Sequence, residues 1–364
     1  MKGLITILRY GVGLLFIFSG LVKANDPLGL AYKMEEYFEI WHLYALIPYA
    51  NIFSVSMNVL EIASGFALCI GWQHKWNLRL LLSLILFFTV LTGYTYYTGY
   101  PKTCGCFGDC LPIDASSSFF KDLILLGAIV FLLIKAPTAG MQLPGRVATI
   151  LVALVTTLSI GLQFYVLDHL PLIDCLPYKI GTNIPEARKQ PPPPPGSTVM
   201  FVYEKNGKEV EFSADRFPED FSADTYRFIR RYETGEIQQA PIQGFALYTI
   251  SGSDTTESLL GSDKLLLLFT QQVTSLSTSQ KNEWNNLYQG ANKKNISLVL
   301  ITNRMELWDT TLQKIYPTVR VVSCDRTPIR TAARVDPTIY YLEKGTVIRK
   351  NALTDCGSML KGIN

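Results

Sequence analysis

Charge is what this sequence has least of. Only 17% of its 364 residues are Asp, Glu, Lys or Arg, and the net charge is +3. With no basic stripe interleaved with aromatics, nucleic acid is excluded as a partner. Histidine is scarcer still, at three residues, and none lies near the cysteine cluster at 104–110. No Cys-x-x-Cys pair occurs anywhere among the seven cysteines. The first apolar stretch lacks an A-x-A-like cleavage site before Asn25, so it is expected to stay as a span rather than be removed as a signal peptide.

What the chain does have is two compositions joined at a sharp boundary. Up to Leu167 it is dominated by Leu, Ile, Val, Phe and Gly, and from Asp168 it carries the polarity of a domain facing water. Five stretches are long enough to cross a hydrocarbon core: Leu4 to Val22, Tyr49 to Ile70, Trp76 to Tyr97, Phe119 to Ile134 and Val147 to Leu167. Lys2, Arg9, Lys75, Arg79, Lys135 and Arg146 fall at one set of span ends. The opposite ends hold Asp26, Glu35, Glu36, Glu39, Asp109, Asp114 and Asp122 beside the fewer basic residues Lys23, Lys33, Lys102 and Lys121. The positive-inside rule then places the N-terminus in the cytoplasm and everything after Asp168, with the cysteine loop, on the outer side, which in a bacterium is the periplasm.

Past the fifth span, the proline-broken segment Pro171 to Gly181 suits a path along the membrane surface. The Pro191 to Pro195 run suits a stiff spacer. Val199 to Phe212 alternates around Asn206-Gly207, which predicts a β-hairpin. From Gly244 strands alternate with helices. The predicted order is strand Phe245–Ile250, strand Lys264–Thr270, helix Ser277–Asn292, strand Ile296–Ile301, helix Glu306–Tyr316, strand Val319–Ser323 and a final hairpin Thr338–Ile348.

That order, and Pro337-Thr338 followed by a strand, a Lys344-Gly345 turn and a second strand, resembles the thioredoxin-like fold. The resemblance implies that Pro337 borders the family's redox site and could hold a partner. The catalytic cysteines are missing: Thr270 to Thr278 contains none where the family places a thiolate at a helix N-terminus. The domain is expected to be thioredoxin-shaped without that catalysis, and Cys324 and Cys356 to be small buried residues.

Chemistry concentrates at Thr103-Cys104-Gly-Cys106-Phe-Gly-Asp-Cys110, between the third and fourth spans. Three thiols this close can exchange between alternative disulfides in an oxidising compartment, or can form a fixed staple. Bridges within the loop, Cys104–Cys106, Cys106–Cys110 or Cys104–Cys110, are the ones its spacing suggests. A thiophilic metal would find three sulfurs here but no nearby histidine, so no metal is assigned. Glu61 lies deep in the second span, where an ionised group facing lipid costs about 2.5 to 3.5 kcal/mol. It is expected to bond to Asn58 or to a neighbouring helix, or to carry a proton beside a quinone head group.

Gly11 to Lys23 with its glycine-rich face, Glu61 with Gly65 and Gly71, and above all Cys104-Gly-Cys-Phe-Gly108 with Lys121-Asp122 resemble the DoxX and MauE-like membrane proteins. The added fifth span and thioredoxin-like domain look like a layout known among Bacteroidetes-type DoxX proteins. The resemblance implies a membrane all-α four-helix bundle with redox work, and makes Cys104 and Cys106 candidate redox cysteines with Cys110 as a third.

The expected organisation is therefore a four-helix bundle over 1–135, a fifth transmembrane helix over 146–167 and a linker over 168–196. A β-hairpin with its connection follows over 197–243, then a soluble α/β thioredoxin-like domain over 244–364. Two functions follow from it. One is an inner-membrane redox component, a thiol–disulfide or quinone-linked oxidoreductase, with Cys104, Cys106 and Cys110 passing electrons to an acceptor such as quinone. The other is a non-catalytic scaffold that recruits a periplasmic or membrane protein. Either way the lipid bilayer is the first partner.

Overall fold

The computed structural model of the chain describes all residues except 1, 102–104, 106, 136–142, 193–197, 214–215, 223, 235–238, 272–275, 309 and 363–364. Five helical segments are long and apolar enough to cross a membrane, so the protein is a multi-pass membrane protein. Helix α1 (Lys2–Asn25) ends at a corner where the Asp26 side chain accepts a hydrogen bond from the Gly29 amide and Pro27 fills the first helical position. The short helix α2 (Pro27–Ile40) that follows was not foreseen, because its charges at Lys33, Glu35, Glu36 and Glu39 break the apolar run. Its buried side is Leu30, Ala31, Met34 and Tyr37.

A 3-10 turn over 44–49 runs into α3 (Ala50–Ile70), and α4 (His74–Thr98), α5 (Ala115–Lys135) and α6 (Gly145–Asp168) complete the spans. Helices α1 and α3 run antiparallel in backbone contact. A Cβ on Gly65 would stand 2.6 Å from the Gly13 carbonyl oxygen, and one on Gly13 would stand 2.8 Å from the Gly65 carbonyl oxygen. Small residues let the two backbones approach this closely, and that seam sets the register that faces Lys23 with Glu61. Helix α6 is held to α3 by a buried amide pair, Asn58 Nδ2 donating to Gln163 Oε1 at 2.9 Å.

After α7 (Ile184–Ala187) come β1 (Thr198–Lys205), β2 (Lys208–Ser213) and β3 (Arg227–Thr234), an antiparallel sheet in the order β2-β1-β3. The hairpin at Asn206-Gly207 is present, and β3 joins it as a third strand. The rest of the chain folds as α8 (Thr256–Leu260), β4 (Leu265–Phe269), α9 (Thr278–Lys293), β5 (Ser297–Thr302), α10 (Thr310–Ile315), β6 (Arg320–Ser323), α11 (Arg326–Ala332), β7 (Thr338–Glu343) and β8 (Thr346–Ala352). Its sheet has the order β6-β5-β4-β7-β8, with β4, β5 and β6 parallel and β7 and β8 antiparallel.

Every residue of β4 is buried, because the sheet is covered on both faces. Leu265, Leu267 and Phe269 pack with Ile329 and Ala332 on one face. Leu266 and Leu268 pack with Trp284 and Leu287 on the other.

Four expectations change. Phe245–Ile250 is not a strand, since Tyr248 makes only isolated bridges to Ser323 and Asp254. The helix expected over Glu306–Tyr316 divides into a 3-10 turn, 305–307, and α10. Helix α11, which carries Arg326 and Arg330, was not foreseen between the strand at 319–323 and the final hairpin. Finally, the segment 171–181 is more than a surface path: Leu172, Ile173 and Ile180 are exposed, but part of it joins the domain core. Tyr178 is buried in the core of the larger sheet, and the Gly181 amide donates to the Val347 carbonyl. Of the proline run, only Pro191 and Pro192 lie within the described residues.

Candidate functional site

Four pieces of chain meet at one end of the bundle: the α1–α2 corner, the cysteine loop, the segment after α6, and the face of the larger sheet domain that carries α11. Asn25 starts the junction by gripping Ile173 in both directions. Its Nδ2 donates to the Ile173 carbonyl at 2.9 Å, and its Oδ1 accepts from the Ile173 amide at 3.0 Å. This holds Cys175 beside the loop, and Cys175 forms a disulfide with Cys110. Cys110 is therefore a half-cystine joined to a residue 65 positions away, in place of the bridges within the loop that its spacing suggested. Cys104 and Cys106 lie outside the described residues. The loop's Phe107 is buried against Phe18, and the Lys121 ammonium sits 4.9 Å from its ring centre.

Each half-cystine is preceded by a carboxylate paired with the sheet domain. Asp109 pairs with Arg334, and Asp174 accepts from Lys350 Nζ at 2.8 Å. Arg334 also donates from Nε to Asp26 at 2.8 Å, so its guanidinium forks between the corner and the loop. Along the same face Arg330 and Arg326 donate to Glu35 at 2.6 and 3.3 Å. The Tyr32 ring lies under Arg330 and Arg334, 4.2 and 5.5 Å from the guanidinium carbons. Burial raises the Asp26 carboxyl above the usual carboxylate range, against the opposing pull of Arg334. The surface that the domain turns to the bundle is thus a basic ladder meeting an acidic one.

Deeper in the bundle, Glu61 pairs with Lys23 at 2.5 Å, each only 1% exposed. Lys23 also donates to Ser19 and sits 4.5 Å from the Phe88 ring centre. Asp122 accepts from Lys121 at 2.6 Å and from Thr92 at 3.0 Å. The two ion pairs line one cavity of about 20 Å³, and Glu61 Oε2 is buried there with no hydrogen-bond partner among the described residues. That volume admits about one water centre. It does not admit a quinone ring, so Glu61 is better read as half of a buried ion pair than as a quinone contact. In the sequence Lys23 counts only as one of the outer span-end lysines. Its position one helical turn beyond Ser19 and Gly20 was the only signal available.

Pro337 follows a cis peptide bond from Asp336, whose carboxylate accepts from the Gln271 amide at 3.1 and 3.2 Å. It borders a groove of about 420 Å³ walled by Leu268, Trp284, Trp308, Leu312 and Tyr316, with Lys281 at the edge. This groove is separate from the arginine face, and Gln271 links the two regions by donating its amide to Asp336 and accepting from Arg330 Nε at 3.3 Å.

Cys324 and Cys356 are buried and unpaired. Burial pushes the Cys324 thiol up to about 11 and the Cys356 thiol up to about 12, the latter helped by Glu283. Neither is therefore a nucleophile at neutral pH. Iodoacetamide at pH about 8 is expected to leave both unmodified in the folded chain and to modify both after denaturation, read by peptide mass. Alkylation of either in the folded chain would contradict their burial. Because these folded pKa values are raised, the two thiols contribute fully to stability below their ordinary value of 9.0 and progressively less as pH climbs above it.

Among the described residues no group of three or more His, Cys, Asp or Glu could hold a metal ion.

Residues 1–135 match the family model described as methylamine utilisation protein MauE, so this part of the chain is MauE-like. The match covers the first four spans, α2 and the cysteine loop. Residues 198–235, which contain the three-stranded sheet, match a domain of unknown function, DUF8463. No curated protein and no solved structure matches the chain.

Proposed function

We propose that this chain is an inner-membrane thiol–disulfide component whose cysteine loop works on the periplasmic side. Lys and Arg at the opposite span ends support that orientation. The observation that carries the reading is the Cys110–Cys175 disulfide, which begins only four residues after Cys106 and ties the loop to the segment leading into the soluble domain. In the proposed cycle the Cys106 thiolate attacks Cys110. A Cys106–Cys110 bond forms as the Cys110–Cys175 bond breaks, and Cys175 leaves as the thiolate. This exchange moves no net electrons. A client dithiol supplies the electron pair, and a membrane quinone takes it up with two protons to become the quinol.

The soluble region is read as thioredoxin-like. The sheet order β5-β4-β7-β8, with the last two strands antiparallel and Pro337 opening β7, supports this. Without cysteines after β4 it acts as a cover and partner platform, not as a catalyst, and Pro337 with its groove is the surface offered to a partner. The non-catalytic scaffold remains the second reading, favoured by the ion pairs that fasten the domain to the bundle.

Thiol trapping in cells, with and without quinone biosynthesis, separates the two. The redox reading expects Cys104, Cys106, Cys110 and Cys175 to accumulate as thiols when quinone is withheld. An unchanged disulfide state under both conditions would overturn it in favour of the scaffold.

A further inference from the structure

We infer that the Cys110–Cys175 disulfide is a lock on the docked domain, and that a protein or peptide dithiol opens it by attacking Cys175 from a cleft beside it. The cleft, about 600 Å³, is lined by Asp109, Cys175, Leu176, Lys179, Pro241 and Thr331. Cys110 does not line it, so an incoming thiolate meets the Cys175 sulfur first. Lys179 at the wall is a cation that favours an incoming thiolate.

The coupling rests on neighbouring residues. Asp109 and Asp174 directly precede the two half-cystines, and they bind Arg334 and Lys350 of the same domain. While the disulfide is intact, both carboxylates are presented together, and one docking event makes both pairs. Lys350 is buried and has Asp174 as its ion-pair partner, whereas the buried Arg334 divides its guanidinium between Asp109 and Asp26, so the loop carboxylate adds to an anchor already on the bundle. Once the bond is open, the loop and the segment after α6 move independently, and each ion pair must be ordered separately at its own entropic cost.

The chemistry balances. One thiolate of the dithiol bonds to Cys175 Sγ, the Cys110–Cys175 bond breaks, and Cys110 leaves as a thiolate and takes a proton. The second thiolate of the dithiol then attacks the mixed disulfide and releases Cys175, which also takes a proton. The dithiol ends as a disulfide, having given two electrons and two protons to the pair. The lock operates whether or not Cys104 and Cys106 pass electrons to quinone, so a failure of that cycle leaves it standing.

The test is hydrogen–deuterium exchange with peptide mass readout on the full chain in lipid nanodiscs, before and after reduction with dithiothreitol. Reduction is expected to speed exchange about tenfold or more in peptides covering α2 and α11, and to leave β5 unchanged. Asp109→Asn with Asp174→Asn is expected to show faster exchange already before reduction, while the disulfide is intact. Cys110→Ser with Cys175→Ser is expected to show it regardless of dithiothreitol. In single variants, Cys175 freed by Cys110→Ser should react with dithionitrobenzoate about tenfold faster than Cys110 freed by Cys175→Ser, as mapped by mass.

Equal exchange before and after reduction overturns the lock. So does acceleration that spreads to β5, because the disulfide would then support the whole fold. Equal or reversed thiol reactivity overturns the assignment of Cys175 as the entry point.

Discussion

Lys23→Met is expected to lower the stability of the membrane bundle by about 3–5 kcal/mol, the largest effect of any single substitution in the spans. The cost is chiefly that of the charge left behind. Glu61 would remain in the bundle interior without its ion-pair partner, since Lys121 in the same cavity is paired with Asp122, and its Oε2 already has no hydrogen-bond partner among the described residues. Glu61→Gln should cost less than Glu61→Leu, since the amide oxygen can still accept from Lys23. The double variant Lys23→Met with Glu61→Leu removes both charges and should recover most of the loss, because a buried ion pair is weak net stabilisation against a well-packed apolar pair. Unfolding in mixed micelles by a denaturing detergent reads all four. If Lys23→Met alone unfolds like the unsubstituted chain, the pair is solvated and the bundle interior is not as closed as the geometry indicates.

The spans were legible because each is a long apolar run, a signal carried by composition alone. The structure extends them by a few residues at either end, from Lys2 to Asn25 for the first and from Ala115 to Lys135 for the fourth. The strands Leu265–Phe269 and Thr338–Glu343 were equally plain, being continuous apolar stretches bounded by polar turns. Helix α9 was also marked by its cap: Ser277 accepts from the Gln280 amide, and Gln280 reaches back to the Ser277 amide.

The junction was much less legible. Its residues come from four places in the chain: Asp26, Asp109, Asp174 and the arginines after position 325. Each reads locally as a surface charge, and only the fold brings opposite signs together. The spacing of Arg326 and Arg330, four apart, was a usable signal for one helical face, with Arg334 just past its end. What it could not give was the partner.

The partner of Cys110 was missed for a related reason, while a Cys104–Cys106 bond lies outside the described residues. Proximity in sequence favoured bridges inside the loop, whereas Asn25 and Ile173 bring Cys175 to Cys110 from 65 residues away. The apolar character of 171–181 serves at least one environment that the sequence did not name. Tyr178 is buried by the sheet domain, and a sequence cannot distinguish a side chain that seeks lipid from one that seeks a protein core.

Arg334→Met is expected to cost about 3–5 kcal/mol at the interface between domain and bundle, because Arg334 is 6% exposed and Asp26 beside it 11%. Asp109 is 41% exposed, so its share of the loss is small and screened by water. Arg334→Lys should fall between. A lysine keeps the charge but presents a single point, and cannot fork between Asp26 Oδ2 and the Asp109 carboxylate. Asp26 separates docking from local helix stability, because it also caps α2. Asp26→Asn retains an oxygen for the Gly29 amide and should lose docking alone, whereas Asp26→Ala should lose docking and about 1 kcal/mol more from the cap. Limited proteolysis of the chain in nanodiscs measures release of the domain, and helicity reports the cap. If Arg334→Met and Arg334→Lys are cleaved no faster than the unsubstituted chain, the guanidinium fork does not hold the domain, and the docked arrangement rests on Arg330, Lys350 and the disulfide.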